Sequence, residues 1–335
     1  MSAVEALPLD GGVYLHSYLA PLADVLSDPE VTDIYVNGPG ELWVETLGGA
    51  IDRRSAPGLD TVTLSRLARQ IAALTHQGVS REHPLLAATL PDGSRIQIVA
   101  PPATRGPICL AIRRQVAPSL RLEDYERGGH FSGTKTDFGS AGDVTALRAL
   151  IDRGAFTDAL QLAVRSRKNI LISGGTSTGK TTFLNALVRE IPADERLILI
   201  EDTPEIVAEQ PNVIGLVSVR GELGEAKVTT NELVSAALRL RPDRIILGEL
   251  RGAEAFAFLR AVRSGHPGSM TTIHADSPEA AIEQLVMLVL HTGTRLGRED
   301  VRHYVSQSID VFVHLERSGG KRVVDAIVLN QGRAV

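Results

Sequence analysis

The residues best suited to chemistry in this sequence lie in one glycine-rich stretch near the middle of the chain. Residues 174–181 read Gly-Gly-Thr-Ser-Thr-Gly-Lys-Thr, which matches the phosphate-loop pattern G-x-x-x-x-G-K-[ST]. A short apolar run at 170–172 predicts a buried strand before the loop, and apolar residues at helical spacing follow it at 182–190. Because strand, glycine loop and helix form the context in which this motif binds phosphate, we expect a nucleotide-binding site here.

Each residue type in this loop has a physical role in holding a nucleotide. Glycines let successive backbone N–H groups turn towards the phosphates, and the following helix presents the positive end of its dipole to them. Lys180 is expected to reach the β- and γ-phosphates, and the Thr181 hydroxyl is expected to bind Mg²⁺. The predicted nucleotide-binding residues of the loop are Gly174, Gly175, Thr176, Ser177, Thr178, Gly179, Lys180, Thr181 and Thr182.

Two further apolar runs, residues 244–249 and 197–202, each end in acids and supply candidates for hydrolysis. Active sites of open parallel sheets lie at the carboxyl ends of strands, so Glu249 is expected to face the γ-phosphate. Gly248 stands where the usual form of this motif has Asp, so Glu201 is the candidate to order Mg²⁺, directly or through water. For both acids the alternative is a solvated carboxylate at a strand end.

Histidines and arginines add weaker signals. His266 and His274 lie on either side of a strand predicted at 270–273, and an imidazole at the phosphate edge could contact the γ-phosphate. An arginine supplied to a nucleotide site can contribute roughly 10³–10⁵ in rate. The candidates, taken as a group, are Arg95, Arg113 and Arg114 in the N-terminal part and Arg239, Arg241, Arg244 and Arg251 beside the acid strand. The alternatives are a structural histidine and solubilising surface arginines.

Composition limits the class of protein. The chain has 335 residues, 43% of them apolar, and a net charge of −5, so we expect one or two globular domains and no overall attraction to nucleic acid. Its single cysteine, Cys109, leaves no internal disulfide framework and fits a reducing compartment. The start of the chain does not resemble a secretory signal, and no apolar run approaches the roughly 18 residues of a spanning helix. We expect a cytoplasmic protein that could still dock on a membrane complex.

The chain divides into three parts by pattern. Residues 1–115 combine period-two runs and an amphipathic helix at 63–76, which predicts a small α+β domain. Residues 116–145 are poor in apolar residues and rich in glycine, which predicts an inter-domain linker; the alternative is a surface loop within one domain. Residues 146–335 alternate strands and helices, which predicts an α/β domain with a mostly parallel sheet covered on both faces.

Four signals in one order resemble the secretion traffic ATPase family that serves type II and type IV secretion, pilus machines and conjugation. They are residues 174–181, 197–205, 244–251 and 265–275. The Gly248-Glu249 ending of the acid strand and the Thr-Thr-Ile-His-Ala run match that family. Three N-terminal stretches, at 36–44, 95–102 and 122–129, resemble its short-N-domain branch, which serves conjugative transfer and type IV secretion.

This resemblance implies a RecA-like phosphate-loop ATPase domain preceded by a small N-terminal domain, in a homo-hexameric ring that binds ATP and Mg²⁺ between domains. It also implies docking to other secretion-channel ATPases and inner-membrane components at the inner face of the bacterial inner membrane. DNA or protein cargo would be contacted indirectly. By resemblance, Glu249 orients water, Glu201 is its partner, His274 contacts the γ-phosphate, and Arg95 and Arg113 reach the phosphates.

The expected function is therefore Mg²⁺-dependent ATP hydrolysis coupled to domain motion that powers pilus assembly or transfer of DNA or protein. One alternative is a nucleotide-switched assembly factor with little turnover. Another is a DNA-stimulated, helicase-like motor, against which the acidic net charge speaks mildly.

Overall fold

The computed structural model describes residues 12–114, 126–127, 141–219 and 226–330. Its strands form two sheets, one of six strands and one of seven. We call residues 12–114 the N-terminal region and the described residues from 141 to 330 the C-terminal region.

The N-terminal region is an antiparallel sheet with helices. Its elements are α1 (Gly12–Leu19), a 3-10 turn (Ala20–Leu22), α2 (Ala23–Ser27), β1 (Val31–Val36), β2 (Gly40–Thr46), β3 (Ile51–Ala56), α3 (Thr61–Leu74), β4 (Leu85–Thr89), β5 (Arg95–Val99) and β6 (Cys109–Arg113). The strand order is β3-β2-β1-β6-β5-β4. Asp60 caps α3 by accepting a hydrogen bond from the backbone N–H of Thr63, and the helix buries Leu64, Leu67 and Ile71 against this sheet's core.

The C-terminal region is built on the longer sheet. Its elements are α4 (Ala141–Asp152), α5 (Phe156–Arg165), β7 (Ile170–Gly174), α6 (Lys180–Arg189), β8 (Leu197–Glu201), β9 (Val213–Val217), α7 (Thr230–Ala237), β10 (Arg244–Leu250), α8 (Glu254–Arg263), β11 (Met270–His274), α9 (Pro278–Leu290), α10 (Arg298–Ser308), β12 (Val311–Ser318) and β13 (Lys321–Leu329). The order is β13-β12-β7-β11-β10-β8-β9, and all pairs are parallel except β12 with β13.

Both faces of this sheet are buried, as the near-continuous apolar runs predict. Along β8, Leu197 and Leu199 enter the cluster that contains α6, whereas Ile198 and Ile200 enter the cluster that contains α7. The fold predicted from sequence, a mostly parallel α/β sheet after a small α+β unit, is confirmed. The capping box between Thr229 and Glu232 is also present at the start of α7.

Two elements were not anticipated from the sequence. Strand β3 is an edge strand with exposed side chains at Asp52–Ser55, so it shows no apolar alternation. Helix α10 buries Val301 and Val305, but the rest of its sequence is polar. Two apolar residues form too weak a stripe to predict an amphipathic helix. Most of the predicted linker lies outside the described residues; α4 begins at Ala141, inside the segment assigned to it. The domain limits 1–115, 116–145 and 146–335 stay a prediction.

The two regions pack against each other through buried polar groups. Arg196 is fully buried and donates to the carbonyl of Leu240 and to the Asn37 side chain of the N-terminal region, at 3.0 and 2.8 Å. Its guanidinium also lies 4.2 Å from the Tyr35 ring centre. Because a buried guanidinium must be hydrogen-bonded, this residue fixes one region on the other.

Candidate nucleotide-binding site

The phosphate loop connects the end of β7 to the start of α6. Its turn uses left-handed backbone at Ser177 (φ 62°) and Gly179 (φ 95°). A Cβ on Gly174 would lie 2.5 Å from the Leu315 carbonyl oxygen and 2.6 Å from Thr178 Oγ1, so the loop packs against β12 as only glycine allows.

Lys180 begins α6 and folds back over the loop. Its Nζ donates to the carbonyl oxygens of Gly174 and Gly175, at 2.9 and 2.8 Å. Burial lowers the pKa of this ammonium group, and the nearby Glu249 carboxylate partly offsets that effect. The Lys180 ammonium group is only partly buried and lies at the N-terminus of a helix. Both the charge and the helix dipole favour an anion at this position.

A cavity of about 940 Å³ opens in front of the loop, at the carboxyl ends of the parallel strands. Residues Thr176–Thr182 line it together with Glu201 from β8, Glu249 from β10 and His274 from β11. The register explains the convergence, since Gly174 at the end of β7 pairs with His274 at the end of β11. Sequence-distant polar groups thus meet at one edge of the sheet.

Glu249 is held by an arginine of its own strand end. The Glu249 carboxylate accepts a hydrogen bond of 2.5 Å from Arg251 Nε, and this bond raises the pKa of Arg251. Arg251 also lies 3.3 Å from Asp202, so one guanidinium joins the acids that end β8 and β10.

Glu201 is buried, and both of its carboxylate oxygens are engaged. Oε1 accepts hydrogen bonds from the backbone N–H groups of Glu205 and Ile206, at 2.8 and 2.7 Å. Oε2 forms an ion pair with Arg105 of the N-terminal region. Gly248 on the neighbouring strand lies beside this side chain, where a Cβ would be in ordinary contact with Glu201 Cγ at 3.4 Å.

Comparisons with known proteins agree with this geometry. The family model described as type II/IV secretion system protein matches residues 144–322. The type IV secretion system protein VirB11 of Bartonella henselae is 39% identical over 325 residues, which cover 92% of this chain and 91% of that protein. This chain belongs to the type II/IV secretion system protein family.

Other members of the family give the same result. VirB11 of Brucella suis is 39% identical over 305 residues, covering 89% of this chain and 84% of that protein. The crystal structure of the VirB11 ATPase from the Brucella suis type IV secretion system, in complex with sulphate, superposes with a TM-score of 0.90 at 36% identity and covers 97% of each chain. The resemblance proposed from sequence and the RecA-like fold are confirmed.

Arg95 and Arg113, which are predicted to reach the phosphates, lie away from the phosphate loop of their own chain. They form a cross-strand pair on β5 and β6 and line a separate cavity of about 590 Å³ with Arg239 and Arg241. These last two arginines precede β10, at the amino ends of the parallel strands. The phosphate loop lies at the carboxyl ends, so the length of the parallel strands separates the two sites.

His266 also lies away from the phosphate loop of its own chain. It precedes β11, and its Nδ1 lies 2.8 Å from the carbonyl oxygen of Pro242, in the turn before β10. Burial lowers the pKa of this imidazole. Because β11 crosses the sheet, His266 and His274 lie at opposite edges, and only His274 lines the cavity of the phosphate loop.

Residues that the sequence analysis did not single out also belong to this cavity or support it. Arg322 from β13 and Gln284 from α9 line it, and Arg105 contacts Glu201 from behind. None of these three residues lies in a recognisable motif. Each is brought to the cavity by the packing of a segment that is distant in sequence.

The residues present fit a magnesium ion bound with a nucleotide. The Thr181 hydroxyl and the carboxylates of Glu201 and Glu249 line the same cavity, and they are the hard oxygen donors that Mg²⁺ prefers. Mg²⁺ is usually bound by one or two such groups together with phosphate oxygens and water. The side chains of this cavity, together with a bound nucleotide, would supply that set of donors.

Proposed function

We propose that this chain is a Mg²⁺-dependent ATPase of a type IV secretion system. The observation that supports it best is the convergence of Lys180, Glu249 and Glu201 on one cavity, from the phosphate loop and two neighbouring parallel strands, β10 and β8. The relatives with matching length are type IV secretion components, and the superposed Brucella suis structure is that of the VirB11 ATPase.

Each residue in this proposal has one task. The loop amides and Lys180 bind the β- and γ-phosphates, and His274 contacts the γ-phosphate. Glu249 orients the attacking water, which requires its carboxylate to share or leave its bond with Arg251. Thr181 would hold Mg²⁺ directly and Glu201 through water, and the ion when bound neutralises charge that develops on the phosphoryl oxygens.

The proposal is tested by phosphate release from the wild-type protein and from Glu249→Gln. The amide is isosteric with the carboxylate but cannot accept a proton or order water as strongly, so we expect kcat to fall at least about 100-fold while ATP affinity stays within about threefold. Glu299→Gln, at an exposed position of α10, is the control and should behave like wild type. Full activity of Glu249→Gln would contradict the assignment.

One observation favours a second candidate, a nucleotide-switched assembly factor with little turnover. Both acids of the site are engaged by arginines, Glu249 by Arg251 and Glu201 by Arg105. The same assay decides between the two functions. Wild-type turnover below about one per hour, with ADP and ATP both bound tightly, would support the switch.

We also propose that the working unit is a homo-hexameric ring. Arg95, Arg113 and His266 lie on the side of the chain opposite the phosphate loop, together with Arg241. A head-to-tail interface joins two different faces of the same molecule and closes into a ring. Such a ring would bring the arginine side of one copy to the phosphate loop of the next.

For its setting, we propose the cytoplasmic side of the bacterial inner membrane, with other secretion-channel ATPases and inner-membrane components as partners, because the relatives are type IV secretion components. DNA or protein cargo would be contacted indirectly. Separately, none of the helices in the described ranges has the length and apolar character of a membrane-spanning segment.

A further inference from the structure

The hairpin of β12 and β13 reaches past the edge of the sheet beside the phosphate loop. Strand β12 pairs with β7 up to Leu315, which lies opposite Gly174 at the end of β7. It then continues to Ser318, turns at Gly319 and Gly320, and returns as β13. Both glycines have positive φ (57° and 80°), which suits a tight two-residue hairpin turn.

This hairpin carries Arg322 onto the loop. A Cβ on Gly179 would lie 3.1 Å from Arg322 Cδ, and 3.7 and 3.9 Å from its Nε and Nη1. The arginine stem therefore crosses the glycine that directly precedes α6. Arg322 lines the same cavity as Lys180 and Thr181.

Positive charge accumulates at this point. Lys180 and the amino end of α6 are already positive, and Arg322 adds a guanidinium to them. Arg317, directly across from Arg322 in the hairpin, does not line the cavity. Like charges held together raise the free energy of the empty site, and an anion with several negative oxygens relieves that repulsion.

We propose that Arg322 is a further nucleotide-binding residue, which grips a phosphate from the solvent side of the loop while Lys180 grips from the other. This inference rests on the proposed function. The amides at the start of the helix after a phosphate loop bind the α- and β-phosphates. Because Arg322 lies over Gly179, directly before α6, it contacts phosphates that ATP and ADP share.

An arginine in this position changes affinity and leaves the chemical step alone. Interactions that are equal in the ground state and the transition state alter KM and Kd without altering kcat. We therefore expect Arg322→Ala to raise the Kd for ATP and for ADP, both with Mg²⁺, by about tenfold, as loss of a charged hydrogen bond predicts. The value of kcat at saturating ATP should stay within about twofold.

The matched control is Arg317→Ala, which removes the same charge from the facing strand of the same hairpin. We expect its Kd values to stay within about twofold of wild type, because Arg317 does not line the cavity. Arg322→Gln keeps a long side chain over Gly179 but removes the positive charge, so it should lose affinity as Arg322→Ala does. It replaces the alanine variant if that variant folds poorly.

Titration calorimetry with ADP and ATP, together with steady-state kinetics, decides the question. Unchanged Kd values in both Arg322 variants, or an equal loss in Arg317→Ala, would overturn the proposal, as would a fall in kcat at unchanged affinity. If wild type hydrolyses ATP while the Arg322 variants match it, only the role of Arg322 fails. If wild type binds no nucleotide, the proposed function fails and this role with it.

Discussion

Arg105, in the loop between β5 and β6 of the N-terminal region, forms an ion pair with Glu201 at the end of β8. The arginine is itself fixed. Its backbone N–H donates to the Gly215 carbonyl at 2.8 Å, and its Nη1 donates to the Ile206 carbonyl at 2.9 Å. Burial lowers the pKa of its guanidinium. The N-terminal region thus holds an acid of the nucleotide cavity directly, so a shift of that region would move Glu201.

The first prediction concerns removal of this contact. Arg105→Ala leaves one oxygen of a buried carboxylate without its partner, so Glu201 should shift or take up a proton. We expect kcat for ATP hydrolysis to fall about tenfold or more, with the Kd for ADP changed by less than about threefold because the phosphate loop is untouched. Arg105→Lys should recover part of the rate.

The control for this experiment is Arg53→Ala. Arg53 also pairs with a glutamate, Glu41, but the Arg53 side chain is 58% exposed, and pairs exposed to solvent contribute little. Equal kcat in Arg105→Ala and Arg53→Ala would show that the cross-region pair has no part in turnover.

A second prediction uses Gly215 in β9, which leaves space for the Arg105 stem. A Cβ at this position would lie 2.3 Å from Arg105 Cδ, so Gly215→Ala should displace the arginine while leaving its charge in place. We expect the same fall in kcat as for Arg105→Ala. The double variant should lose little more than either single variant, because both act through one contact.

Gly106→Ala is the matched control, since a Cβ there meets no atom within 4 Å and the residue adjoins Arg105 in the chain. Turnover of Gly106→Ala should equal that of wild type. If the losses of Gly215→Ala and Arg105→Ala add fully in the double variant, the two residues act independently and the coupling argument fails.

A third prediction uses Cys109 as a probe of contact between the two regions. The thiol is buried in the cluster that joins Tyr35 of the N-terminal region to Leu171 of the C-terminal region, and burial raises its pKa to about 12. Because the thiolate is the reactive form, we expect a soluble thiol reagent to label the native protein at least about 100-fold more slowly than the denatured protein. Separation of the regions exposes the thiol, so labelling reports that motion.

Asn37→Ala should speed this labelling, because Asn37 bonds to both Arg196 and Asn212 across the contact between the regions. Arg69→Ala, at an exposed position of α3, should leave the rate unchanged. As the chain has a single cysteine, the stoichiometry is unambiguous. Rapid labelling of the folded wild-type protein would show that the contact between the regions is not closed in solution.

The features that could be predicted from the sequence are those that a local sequence pattern determines. The phosphate loop and the strands that end at Glu249 and Glu201 have signatures within ten residues, and parallel pairing then brings their ends together. The functions of Arg105 and Arg322 depend on where a distant loop and a hairpin pack, and no local pattern records that. The sequence places His266 before a strand and His274 at its far end, but it does not show which groups each side chain contacts.

The last prediction asks whether Arg113 acts on a neighbouring copy. Lys180→Ala alone should lose nucleotide binding and turnover while remaining folded, because Lys180 is the ammonium of the phosphate loop. Arg113→Ala alone should lose turnover, since every junction of its ring lacks the arginine. In rings assembled from an equal mixture, about a quarter of head-to-tail junctions join an intact loop to an intact Arg113, by random assortment.

We therefore expect the mixture to recover roughly a quarter of wild-type turnover if each junction works independently. The two variants must be unfolded or dissociated together before reassembly, and light scattering should give the mass of the ring in every sample. Mixing either variant with Arg53→Ala, which keeps both groups, sets the activity expected from dilution alone. If Arg113 served the loop of its own chain, no subunit in the mixture would hold both groups, and turnover would stay at the level of the separate variants.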